Sequence, residues 1–292
     1  MNILLTQLIN GLHVGSVYAL IALGYTMVYG IVKLINFAHG DIIMVGAYAA
    51  LMLLTSTALP FGIAAVLSVL FCVTLGALVE RIAYKPLRNS PRISSLITTI
   101  GVSFFLQNSV QMIFSPTPRP FPIRLNVPTI VIGSLKISGL TFVTILVAVL
   151  LMIALELFVR RTRMGKAMRA VSEDMQAAQL MGININTTIS MTFAIGAALA
   201  AVGAILYSTA YPSVSPTMGA LPGLKAFIAA VLGGIGLMPG AMLGGFIMGV
   251  AESLTKGYIS TQLSDAVVFG ILIIVLLVKP SGILGKHVSE KV

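Results

Sequence analysis

The chain holds a single cysteine, no tryptophan and long stretches without any charge. Cys72 lies in an apolar run, so an intrachain disulfide is impossible and a metal site built on thiolates is excluded. The Gly-x-x-x-x-Gly-Lys-Ser/Thr phosphate loop is missing: Gly282-Ile-Leu-Gly-Lys-His287 has the wrong spacing, and histidine stands where a hydroxyl is needed. Neither a His-Glu-x-x-His zinc helix nor a Gly-x-Ser-x-Gly nucleophile elbow occurs. Any ATP energy must therefore come from another chain, and no cofactor is expected in this one. Asp, Glu, Lys and Arg are absent from residues 1–32, 42–79, 93–118, 175–224 and 226–251. A soluble domain could not keep such segments from water, whereas a bilayer core needs about 20 apolar residues per helical span.

Composition agrees: of 292 residues, 58% are hydrophobic and 9% charged, which is membrane-protein usage. A net charge of +10 would suggest nucleic acid in a soluble protein. Here most basic residues sit at the ends of apolar segments, where they face an anionic lipid surface. No soluble basic face or aromatic platform accompanies them, so nucleic acid is not an expected partner. Residues 1–10 lack the basic start of a cleaved signal peptide, and the first apolar segment is expected to stay as a span.

The expected fold is all-α: a polytopic transmembrane bundle of about eight spans forming one membrane domain over residues 1–292. Apolar length and breakers place spans at about 4–31, 42–59, 63–79, 93–114, 140–159, 187–211 and 264–278. The stretch 224–254 is broken by Gly233, Gly234, Gly236, Pro239 and Gly240, and reads as a re-entrant hairpin or two short spans. Arg81, Lys85, Arg88 and Arg92 follow the third span; Arg160, Arg161, Arg163, Lys166 and Arg169 follow the fifth; Lys279, Lys286 and Lys291 end the chain. The positive-inside rule puts these in the cytoplasm, the N-terminus outside and Lys33 in an inner turn, although Arg119, Arg124 and Lys136 lie in the outer loop.

Three segments carry chemistry. In the first, Asn36, His39 and Asp41 fall close together at the entry of an apolar span. Such groups face protein or water, as caps of a helix start or as contacts for a substrate or gate. With no second histidine nearby, a metal is not expected there. The second is the polar loop at about 160–186, where Ala167, Met168, Val171, Met175, Ala178 and Leu180 form an imperfect apolar stripe. Ser172, Glu173 and Asp174 would start a short helix that Gly182 stops, giving a docking element for a cytoplasmic partner. In the third, Gly236, Gly240 and Gly244 are spaced by four, as are Gly245 and Gly249. That spacing allows close helix contact, and a broken helix can also line a path.

Among scattered polar groups, Gln107, Asn108 and Gln111 read as one side of the fourth span, with Gln107 and Asn108 as further path candidates. Glu156, Glu252 and Asp265 sit toward span ends, where capping or pairing with basic neighbours is expected; a proton-coupled carrier would want a carboxylate near mid-membrane. An intramembrane enzyme would need a nucleophile–base pair, and only His13, His39 and His287 are available.

Taken in order, six stretches resemble the branched-chain amino acid permeases of bacterial ATP-binding cassette importers, specifically the LivH-type subunit. They are Gly24-Tyr-Thr-Met-Val-Tyr-Gly30, Ile35-Asn-Phe-Ala-His-Gly40, Glu80-Arg-Ile-Ala-Tyr84, Arg163-Met-Gly-Lys166, Ala226-Phe-Ile-Ala-Ala-Val-Leu-Gly-Gly-Ile-Gly236 and Pro280-Ser-Gly-Ile-Leu-Gly285. The resemblance implies a permease domain in the inner membrane, paired with a second, related permease. It also implies two cytoplasmic ATPase subunits, which use the ATP, and a periplasmic protein that delivers leucine, isoleucine or valine. Family members also carry other amino acids and amides. The inner loop would engage an ATPase through Arg163, Gly165, Glu173, Ala177, Ala178 and Gly182.

Overall fold

The computed structural model describes residues 2–57, 59–88, 90–122, 127–132 and 135–285. Arg124, Lys286, His287 and Lys291 of the sequence reading lie outside them. Eleven α-helices are described: α1 (Asn2–Val32), α2 (His39–Ser56), α3 (Phe61–Val79), α4 (Arg92–Phe114), α5 (Gly139–Arg161), α6 (Arg163–Glu173), α7 (Met175–Leu180), α8 (Ile185–Ala210), α9 (Ala220–Gly233), α10 (Met238–Tyr258) and α11 (Ser264–Val278). A π-helical turn, Glu80–Tyr84, extends α3. Two short antiparallel pairs close one end: β1 (Arg119–Pro120) with β4 (Ser213–Val214), and β2 (Ile130–Ile132) with β3 (Leu135–Ile137). The protein is a polytopic helical membrane bundle, with α1–α5 and α8 long and apolar enough to cross a bilayer, α3 together with its extension.

The centre of the bundle is α1, buried along most of its length, with α2 and α8 beside it, while α3, α4 and α5 expose most of theirs. Lipid is as apolar as leucine, so helices hold together by close packing and hydrogen bonds. Small residues provide the packing. A Cβ on Gly11 would lie 2.6 Å from the Val250 Cα, and one on Gly15 2.9 Å from the Phe246 Cα. The two glycine series of α10 thus face two different helices. Gly245 and Gly249 press on α1, whereas Gly240 and Gly244 press on the carbonyls of Gly233 and Ala229 in α9.

The broken stretch is two helices joined through Gly234 and Gly236, whose φ of +108° and +95° only glycine adopts easily. With 14 residues, α9 is about 21 Å long at 1.5 Å per residue, short of a bilayer core of about 30 Å. It is therefore not a span of its own. After α11 the chain returns to this break, where the Ile283 and Leu284 N–H groups donate to the Leu232 and Gly233 carbonyls. The break, the end of α1, the α3–α4 turn and the end of α5 all lie at one end of the bundle, called the basic end below.

Two boundaries differ from the sequence reading. Helix α2 starts at His39, so His39 and Asp41 belong to its first turn, and no side chain caps it. Ser172 and Glu173 finish α6, and Asp174 alone caps α7, accepting from the Gln176 and Ala177 N–H groups at 2.8 and 2.9 Å.

Candidate functional site

The six residues between α1 and α2 have no regular structure, yet this connection is where the polar residues gather. The Tyr84 hydroxyl donates to the Asn36 Oδ1 at 2.6 Å, and both groups are buried. One turn earlier, the fully buried Glu80 pairs with Arg88 and accepts from the Ser190 hydroxyl. Arg88 in turn donates to the Asn186 Oδ1 at 2.7 Å. The start of α8 is thereby tied through the π-helical turn to the chain just before α2. A π bulge re-aims side chains that a regular helix would space differently, and here it brings Glu80 and Tyr84 to one network.

Above this network, Gln107 of α4 donates to the Asp41 Oδ1 at 2.7 Å. The His39 imidazole stacks edge-on against Tyr25, with ring centroids 4.5 Å apart, and fills the space left by Gly24. A Cβ on Gly40 would come 2.8 Å from the Gly219 carbonyl, so the start of α2 touches the start of α9 backbone to backbone. The His39 Nε2 and the Asn36 Nδ2 are buried and lack a hydrogen-bond partner among the described residues. Buried polar atoms are normally satisfied, and such exceptions mark functional sites or places for water.

Of the path candidates, Asn36, His39, Asp41 and Gln107 therefore converge on the start of α2. Asn108 does not: it is exposed on the other side of α4, and its side chain donates back to the Phe104 carbonyl at 2.8 Å. A 100° step per residue puts Gln107 and Asn108 on different faces, which corrects the one-sided reading. Gly236 and Gly240 sit apart from this cluster, at the α9–α10 break, where a Cβ on Gly30 would lie 3.2 Å from the Gly236 Cα.

The loop after α5 is two helices. Gly165 and Ala178 are buried; Arg163, Glu173, Ala177 and Gly182 are exposed. Gly165 is packed against the Phe158 and Val159 carbonyls, so it positions α6 rather than presenting a surface. Gly182, with φ +81° and open space around it, stops α7 as the sequence suggests. Leu180 and Met181, 89% and 83% exposed, stand out at the tip instead of completing a buried stripe. Between α7, the α1–α2 connection and the α3–α4 turn lies a cavity of about 880 Å³, lined in part by Lys33, Lys85, Arg88 and Gln179.

Among the described residues, two charged groups escaped the sequence reading, Lys225 and Lys256. Lys225 of α9 is buried and pairs with Glu252 of α10 at 2.9 Å and Asp265 of α11 at 2.7 Å. Glu252 also holds Lys256 at 2.6 Å and accepts from the Tyr18 hydroxyl of α1 at 2.8 Å. Pairing of Glu252 and Asp265 with basic groups is as expected; the intramembrane lysine is not. Its signal was the single charge separating the uncharged runs 175–224 and 226–251.

Broken helices, a polar crossing buried among apolar spans and an exposed helical loop at the basic end define the class: a membrane-embedded permease. Residues 7–276 match the family described as branched-chain amino acid transport system / permease component, and the chain belongs to that family. It is 47% identical to the high-affinity branched-chain amino acid transport system permease protein BraD of Pseudomonas aeruginosa, covering 99% of this chain and 98% of that one. It is 45% identical to the corresponding LivH of Escherichia coli K12, covering 99% and 97%. A probable branched-chain amino acid transport permease protein LivH of Methanocaldococcus jannaschii is 32% identical over 92% of this chain and 89% of its own.

Proposed function

We propose that this chain is one of two related membrane subunits of an ATP-driven importer for leucine, isoleucine and valine. Full-length similarity to permeases named for branched-chain amino acid transport carries the reading. The basic end faces the cytoplasm of a bacterial inner membrane, which puts the N-terminus on the periplasmic side. Two ATPase subunits bind there, and a periplasmic binding protein delivers the amino acid to the opposite end. The chain supplies no catalysis of its own.

The geometry supports a route for alternating access, in steps. The ATPase grips α7, whose exposed Leu180 and Met181 offer an apolar tip beside Glu173 and Ala177. Because α7 runs directly into α8 through Gly182, its displacement moves Asn186 and Ser190. These pull on Arg88 and Glu80, and the π-helical turn passes the motion through Tyr84 to Asn36. The start of α2 then shifts against α9, where Gly40 and Gly219 touch without side chains between them. Gly234 and Gly236 let the α9–α10 hairpin flex. His39 and Asn36, with polar atoms unpaired in this state, then gain access to solute or water.

The solute is tested by competition. Labelled-leucine uptake by the assembled importer should be suppressed by unlabelled isoleucine and valine, and untouched by glutamine, amides or urea at the same concentration. Uptake insensitive to isoleucine and valine would overturn the assignment of solute.

A further inference from the structure

A second cavity, of about 530 Å³, opens at the basic end between α1, α5, α6 and the α9–α10 break. Its walls are apolar: Met27, Ile31, Val159, Met168 and Met238. Its mouth is charged. Arg160 and Arg169 line it, and the Arg169 guanidinium donates to the Arg160 carbonyl at 3.3 Å, which holds it over the end of α5. Glu156, the one acid in the lining, pairs with Arg160 at 2.5 Å and leaves Arg169 without a counter-charge among the described residues. Arg161, Arg163 and Lys166 add positive charge within one further turn, all exposed. Inside, the Thr26 hydroxyl is buried and has no hydrogen-bond partner among the described residues.

The position of the mouth decides what can enter. Helix α5 crosses the bilayer and ends at Arg161. Along it, Phe142, Leu146, Leu150, Ile153 and Leu157 stand exposed at intervals of three or four residues, one apolar stripe that runs to the cavity. Helix α6 follows at once. It buries Gly165, Met168 and Val171 while presenting Arg163, Lys166 and Arg169 at three-residue intervals on the other face. The apolar face packs into the bundle, which leaves the basic face exposed at a span end, where it can meet an anionic membrane surface. A ligand that reaches this cavity along the stripe must be apolar in the body, and one held at the mouth must carry negative charge.

We infer that this cavity is a binding site for an anionic phospholipid, with the headgroup phosphate on Arg160 and Arg169 and an acyl chain lying along Leu150, Ile153 and Leu157 into the apolar pocket. The chain end would reach Gly30 and Gly236, so an occupied site braces the break on which the α9–α10 hairpin flexes. The inner loop then serves two partners: α6 faces lipid and α7 faces the ATPase. The site does not depend on which solute is carried.

The test is native mass spectrometry of the intact complex, purified and equilibrated with equal amounts of phosphatidylglycerol and phosphatidylcholine of matched chains. The unaltered complex should retain phosphatidylglycerol over phosphatidylcholine. The variant Arg160→Gln with Arg169→Gln should lose about fivefold in phosphatidylglycerol retention per guanidinium removed, as expected for charges near an anionic headgroup. Lys85→Gln, in the other basic cavity, should leave retention unchanged. Ile31→Trp, which fills the pocket and keeps every charge, should also reduce it. Equal retention of the two lipids, an unaffected arginine double variant, or an equal loss with Lys85→Gln would overturn the site. If the double variant fails to assemble, the Ile31→Trp complex decides: undiminished phosphatidylglycerol retention contradicts the proposal.

Discussion

The Tyr84 hydroxyl sits 2.6 Å from the Asn36 carboxamide oxygen and joins the turn after α3 to the entry of α2. Removing only that hydroxyl tests whether the link transmits motion. Tyr84→Phe leaves a buried acceptor unpaired, which costs about 1–3 kcal/mol. The expected outcome is an assembled complex of lower thermal stability whose ATP hydrolysis persists while leucine uptake falls several-fold. Uptake and hydrolysis falling together would place Tyr84 outside the coupling route.

Lys225 should behave as a buried charge with committed partners. Lys225→Met leaves Glu252 short of one partner and Asp265 of its own, and breaking such a pair costs about 3–5 kcal/mol. Lys225→Met combined with Asp265→Asn should recover part of that loss, because Asp265 pairs with Lys225 alone among the described residues and is then no longer an uncompensated charge, whereas Glu252 keeps Lys256. Thermal unfolding of the detergent-solubilised variants reads this directly; strictly additive losses would mean that the two residues do not couple.

The two glycines at the break should fail differently. At Gly236, φ is +95° and a Cβ would have 3.6 Å to its nearest neighbour, so Gly236→Ala strains the hinge without filling space. Assembly should survive and uptake should drop. At Gly240 a Cβ would strike the Gly233 carbonyl, so Gly240→Val should reduce the yield of folded protein as well. Size-exclusion profiles beside uptake rates distinguish the two.

For α7, Asp174→Ala removes an N-cap worth about 1 kcal/mol to a helix of only six residues. Leu180→Asp puts charge on the exposed tip without touching the bundle. Both should lower the ATPase activity of the complex and its uptake in proportion, with the membrane subunit still folded. The buried Cys72 leaves Leu180→Cys as the one accessible thiol of the described chain, and its crosslinking to the ATPase reports the contact.

Much of the bundle is legible from apolar length alone. Helices α4 and α5 differ from expectation by one or two residues, because a span must satisfy every backbone group internally and its length is set by the bilayer. Helix α11 occupies the residues expected of the last span, but with 15 residues it is, like α9, shorter than a bilayer core. The start of α2 is less legible. Asn36 and Asp41 look like caps, but their partners, Tyr84 and Gln107, lie 48 and 66 residues away, and no local pattern announces them. Glu80 is read only as part of a motif, although its burial with Arg88 and Ser190 makes it the hub of the network. Counting uncharged runs finds spans well, yet it treats Lys225 as punctuation between two of them.

The most direct measurement is labelled-leucine uptake in cells stripped of their own leucine importers. This chain is expressed with its neighbouring permease, ATPase and binding-protein genes, once with active ATPase and once with an ATPase that binds but cannot hydrolyse ATP. Uptake should vanish with the inactive ATPase and survive an ionophore while cellular ATP is maintained. Uptake indifferent to the ATPase and collapsed by the ionophore would contradict ATP-driven import and make the chain an ion-coupled carrier.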